Sequence, residues 1–148
     1  MKTIETLNGV LHRELALAGE LLAAMRAMQR AIVEFHVEDL LAAIEREEQV
    51  LKPLETVERE RLALVQALIP SGGNAVEQPT LSRLAVEATG DAEDRLRAAG
   101  RSLEDIVARI KEVNGQNRIL LEHSIGFIRS TLRAVTEGYA RKLIDQKV

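Results

Sequence analysis

The chain has no cysteine and no tryptophan, and its only aromatic residues are Phe35, Phe127 and Tyr139. Without thiols it can form no disulfide staple, cysteine nucleophile or thiolate-held metal site. With so few rings, a core must be built from Leu, Ile, Val, Ala and a little Met. That composition suits helix packed on helix and gives little for sheets. The same scarcity removes the stacking platforms on which single-stranded nucleic acid docks. Neither sign of charge prevails: 20 basic and 23 acidic residues leave a net −3, so there is no basic field for a phosphate backbone. No apolar run approaches the roughly 18 residues of a membrane span. Met1 to Val10 carries helical periodicity instead of a signal-peptide core, so the expected location is the cytoplasm.

What is present is heptad spacing. At 148 residues the chain is expected to be a single domain, 1–148, with 136–148 as a C-terminal tail. The organising stretch is Asp91 to about Val135. Leu96, Ala99, Leu103, Ile106, Ile110 and Val113 recur at three- and four-residue steps, which keeps them on one side of a helix. Beyond Asn117 the stripe widens into two tracks. One holds Leu120, Ser124, Phe127 and Thr131, and the other Leu121, Ile125, Ile128, Leu132 and Val135. A helix of about 45 residues would be roughly 65 Å long and cannot bury that stripe against itself. Asn114–Gly115 marks a candidate bend within it.

Two further long helices precede it. The first is expected from Thr3, as N-cap, to Phe35, on the stripe Ile4, Leu7, Leu11, Glu14, Ala18, Leu21, Met25, Met28, Ile32, Phe35. Glu14 is its one charged member, and Gly19 is small enough to admit a neighbouring helix. Phe35 to Asp39 reads as a tight corner, with Glu38 and Asp39 placed to favour the next helix dipole. The second helix is expected from about Asp39 to Leu68, kinked or broken near Val50 to Pro53. Residues 69–79 hold two prolines and two glycines and read as a loop. A short third helix is expected from Thr80, through Leu81, Leu84, Ala85 and Val86, ending at Thr89–Gly90–Asp91. The predicted fold is all-α: an elongated antiparallel helical bundle with coiled-coil-like packing, two long N-terminal helices, one short helix and a long C-terminal helix.

The search for chemistry returns nothing specific. A di-metal bundle site would need Glu three residues before a histidine, but Gly9, Val33 and Leu120 stand there before His12, His36 and His123. No His-Glu-x-x-His pattern, nucleophile elbow or phosphate loop is present; Ser71–Gly72–Gly73 lacks the lysine ending. The reading is therefore no enzyme, no catalytic residue, no metal and no cofactor. Asn117, on the apolar stripe, reads as a polar residue that fixes helix register. Met25 and Met28 read as core fillers. Charge is uneven: Glu34 to Glu60 holds nine acids and three bases, and Arg129 to Val148 five bases and two acids. Such asymmetry is either solvated faces or steering of a partner. In the tail, Tyr139, Leu143 and Ile144 make a small amphipathic face. That face either docks on the bundle, frays, or orders against a partner.

Certain residues carry a resemblance. The N-terminal heptads, Glu38–Asp39–Leu40–Leu41 and Leu54–x–x–x–Glu58–x–x–Arg61–Leu62 are similar to the FlgN family of flagellar type III export chaperones. So is Asn114–x–x–Asn117–x–x–Leu120–Leu121–x–x–Ser124–Ile125, leading into Phe127–Ile128. The resemblance implies a bacterial cytosolic helical chaperone that binds hook–filament junction proteins and escorts them to the export gate. It implies substrate recognition in the C-terminal part, hence Phe127, Ile128, Leu132, Val135, Tyr139, Leu143 and Ile144. It also suggests a docking role at the gate for Tyr139. No nucleic acid or membrane insertion is expected, and a homo-oligomer is compatible with the stripes. The competing reading is a non-catalytic structural coiled-coil module that only oligomerises.

Overall fold

A computed structural model of the protein describes residues 2–68 and 90–146. These form three helices: α1, Lys2–Glu34; α2, Val37–Leu68; and α3, Asp91–Gln146. The short helix expected from Thr80 lies outside the described residues, so three elements stand where four were anticipated. The helical heptads act as the sequence suggests. Leu7, Leu11, Ala18, Leu21 and Ile32 of the α1 stripe are all buried. Burial of these paired stripes, at roughly 25 cal/mol per Å² of apolar area, is the main stabilising term. Such long helices would not hold on propensity alone.

α1 is the central rod. Both α2 and α3 lie against it, and no Cα of α2 comes within 8 Å of one of α3 among the described residues. At the end where the chain begins, side chains from all three helices meet: Leu7, Leu11, Val65, Leu96 and Ala99 form one buried cluster. α1 and α2 run antiparallel. α3, however, runs parallel to α1, which corrects the expectation of an antiparallel bundle. The register shows it: Gly19 faces Ile106, Met25 meets Asn117, and Phe35 meets Phe127. The reason is topological. In an up–down–up order the third helix regains the direction of the first.

The α1–α2 corner is tighter than expected and is built as a Schellman motif. The His36 amide donates to the Ala31 carbonyl at 3.0 Å, and the Phe35 amide to the Ile32 carbonyl at 3.3 Å. The residue at the left-handed position is Phe35, with φ 57°. Glycine usually occupies that place, because a Cβ costs about 1–2 kcal/mol there. At the start of α3 the left-handed residue is Gly90, φ 71°, whose carbonyl accepts from the Asp94 amide.

Three local expectations need correction. α2 passes through Pro53 as one helix, with no break there; α3, as expected, is one helix through Asn114–Gly115. Val50 and Val57, on either side of Pro53, stay buried in the bundle, and this packing outweighs the local cost. α3 also continues beyond the end expected near Val135, to Gln146. Finally, α1 begins at Lys2, one residue ahead of the N-cap expected at Thr3.

Candidate apolar overhang

α1 ends at Glu34, but its parallel neighbour does not stop there. The last contact between them is aromatic: the Phe35 and Phe127 rings stand 6.5 Å apart and tilted by 52°. From there α3 continues for about 20 residues, roughly 30 Å, with no neighbouring helix among the described residues. Every residue from Ile125 to Tyr139 is exposed. Phe127 is 64% exposed, Leu132 61%, Val135 64% and Tyr139 65%. In a helix that still had a neighbour, these positions would be covered. Leu132, Val135 and Tyr139 recur with Ile125 and Ile128 at heptad spacing, so the overhang carries an apolar stripe that nothing among the described residues covers.

Sequence reasoning named Phe127, Ile128, Leu132, Val135 and Tyr139 as one surface, and they do lie together along this projecting rod. The side chains of Leu143 and Ile144 lie outside the described ones. Sequence reasoning missed a second group, Val33, Phe35, Val37 and Leu41, which are exposed around the α1–α2 corner. Phe35 was read as the last member of the α1 stripe, and the left-handed turn swings it out instead. Its contact with Phe127 joins the corner group to the base of the overhang.

Register along α3 is set by polar side chains. Asn117 is buried, and its Nδ2 donates to the Met25 carbonyl at 2.9 Å. Gln29 Nε2 donates to Gln116 Oε1 at 2.9 Å. Together they set how far α3 projects past α1. Asn114, the other member of the expected pair, is exposed. Between α1 and α2 the fixing pair is Glu14 with Arg61, whose Nε lies 2.8 Å from the Glu14 Oε2. Burial raises the Glu14 carboxyl above its ordinary 4.5, Arg61 offsets part of this, and Glu58 adds to it. Surface pairs such as Arg13–Glu60 at 2.9 Å and Arg46–Glu20 at 3.6 Å join the same helices and contribute little.

The rest of the surface offers little chemistry. All three histidines are exposed. His36 Nδ1 lies 3.2 Å from Asp39 Oδ2 and 3.6 Å from Glu34 Oε2, at the solvated corner. Among the described residues no group of three or more His, Asp or Glu is placed to hold a metal ion. None of the described helices is long and apolar enough to cross a membrane. The groove between α1 and α2 near the corner is floored by alanines such as Ala24, Ala31 and Ala43 and rimmed by Arg30 and Arg46.

No curated protein and no solved structure matches the chain. The family model described as FlgN protein matches residues 1–143, which takes in all three helices and the overhang as far as Leu143. The chain therefore belongs to the FlgN family, the flagellar export chaperones.

Proposed function

We propose that the protein is a cytoplasmic, non-enzymatic chaperone that holds the terminal helices of hook–filament junction proteins and hands them to the type III export gate. The observation that carries this reading is the overhang: an uncovered apolar stripe on a helix whose position is fixed by α1. A partner helix laid along Phe127, Ile128, Leu132, Val135, Tyr139, Leu143 and Ile144 would bury both apolar faces in the helix-in-groove mode. Shielding of this kind needs neither nucleotide nor metal. Release at the gate requires moderate affinity. Among the described residues nothing encloses the overhang, so a captured helix can leave without the bundle unfolding. Tyr139, far out on the rod, is suited to the later contact with the gate.

The test is a calorimetric titration of the full chain with a peptide of a junction protein's terminal helix. Leu132→Asp with Val135→Asp should abolish binding while the helical circular dichroism and melting stay as in the parent. Leu143→Asp with Ile144→Asp should act in the same direction. Undiminished binding by both double variants would sink the assignment, and so would a collapsed melt, which would make these residues core.

A further inference from the structure

The overhang is not the only uncovered stripe. α2 gives Ala43, Val50, Val57 and Val65 to the buried side. A second stripe runs beside them: Leu41, Ile44, Glu48, Leu51, Glu55, Glu58 and Leu62, at alternating steps of three and four residues. Leu41 is 61% exposed, and Leu51 and Leu62 are exposed too. α3 does not close over this stripe, because it stays with α1. α2 thus presents leucines interleaved with acids, and the overhang presents apolar residues flanked by Arg129 and Arg133, with Arg141 and Lys142 further out. Neither Arg129 nor Arg133 has an ion pair among the described residues, and neither do Glu48 and Glu55.

We propose that a second copy of this chain occupies the overhang, in a two-fold dimer where the overhang of each copy lies along the acidic stripe of α2 in the other. Charge complementarity and geometry both support this occupant. Leu41 to Leu62 extends about 32 Å, and the overhang about 30 Å. Within one copy the two stripes point away from the Phe35–Phe127 contact in opposite directions. A two-fold axis through that corner therefore sets each overhang beside the partner's α2 along its full length. Both pairings form at once and the interface closes on itself, as an isologous contact must. Matching rise to rise brings Arg129 and Arg133 beside the Glu45–Glu48 turn of the partner, and Arg141 and Lys142 beside its Glu55. The axis also brings the exposed corner group of Val33, Phe35, Val37 and Leu41 against itself.

Sedimentation equilibrium of the full chain tests this. The parent should show a reversible dimer, and its dissociation constant should rise with salt. Arg129→Glu with Arg133→Glu should weaken it about tenfold or more, because like charges then face each other. Glu45→Arg with Glu48→Arg, at the turn that faces Arg129 and Arg133, should do the same. Combining all four substitutions in one chain should restore the parent dimer, since each copy supplies both sides. A chain that is monomeric throughout would overturn the proposal. A dimer indifferent to the reversals, or one not rescued by the fourfold variant, would overturn it equally. The chaperone reading stands or falls separately, on whether the monomeric charge variants still bind the junction-protein helix.

Discussion

Arg61 of α2 reaches across to Glu14 of α1, its Nε 2.8 Å from the Glu14 Oε2, with the Glu14 side chain 6% exposed and that of Arg61 18%. The Nε–H is not aimed at that oxygen, and neither atom has a well-formed hydrogen bond. The pair is therefore held by charge at short range within an otherwise aliphatic seam. It makes α2 fit α1 in one register, since a slip of one turn would leave both charges buried and alone.

Arg61→Met is expected to destabilise the fold by about 3 kcal/mol, because it strands the Glu14 carboxylate in the seam. Glu14→Leu with Arg61→Leu together should recover the parent's stability or exceed it, as apolar replacement of a buried pair commonly does. Urea unfolding of the three proteins checks this. A double variant as weak as Arg61→Met would show that the pair contributes by more than mutual compensation.

Glu47 lacks such compensation. Its Oε1 is buried without a partner, and burial raises its carboxyl above the ordinary 4.5. The folded state therefore holds the proton more tightly than the unfolded chain. Glu47's contribution is fully favourable below pH 4.5 and is lost as pH rises through the higher folded value. Glu47→Gln removes that loss. The variant should gain stability relative to the parent as pH climbs from 4 towards 7. Unfolding curves across that range measure it, and parallel curves would contradict it.

Phe35 pairs a strained backbone with a half-free ring, at φ 57° and 60% exposure. Replacing a buried phenylalanine with a small residue commonly costs about 3–5 kcal/mol. Here Phe35→Gly should change stability by only about 1 kcal/mol in either direction. Relief of the left-handed strain offsets the lost ring contact with Phe127. Thermal melting decides it, and a loss of several kcal/mol would show that the corner group is packed in solution.

Much of this architecture could be read directly from residue spacing. The α1 heptads gave its buried face, and Asn117 announced itself as a lone polar residue on an apolar stripe. Arg61 could be read as part of a motif, but its partner could not. Glu14 stands 47 positions earlier, and only the α1–α2 hairpin brings the two together. The direction of α3 was equally hidden. Heptad spacing reads the same in both directions, and the parallel course follows from where α2 releases the chain. The overhang is a difference in length between two neighbours, so it became visible only once register was fixed by Asn117 on Met25. Continuity through Pro53 was misread because local propensity was weighed without the tertiary packing that overrides it.

The surface at the base and shaft of the overhang can be read amide by amide. Hydrogen exchange of the full chain should be fast from Phe127 to Tyr139 when this segment is unpartnered, at dilutions where any self-association is dissociated. Adding the terminal helix of a junction protein should slow it there selectively, leaving the already protected amides around Leu7, Leu11 and Leu96 unchanged. Protection that appears elsewhere on the bundle, with 127–139 still exchanging freely in the saturated complex, would contradict capture by the overhang.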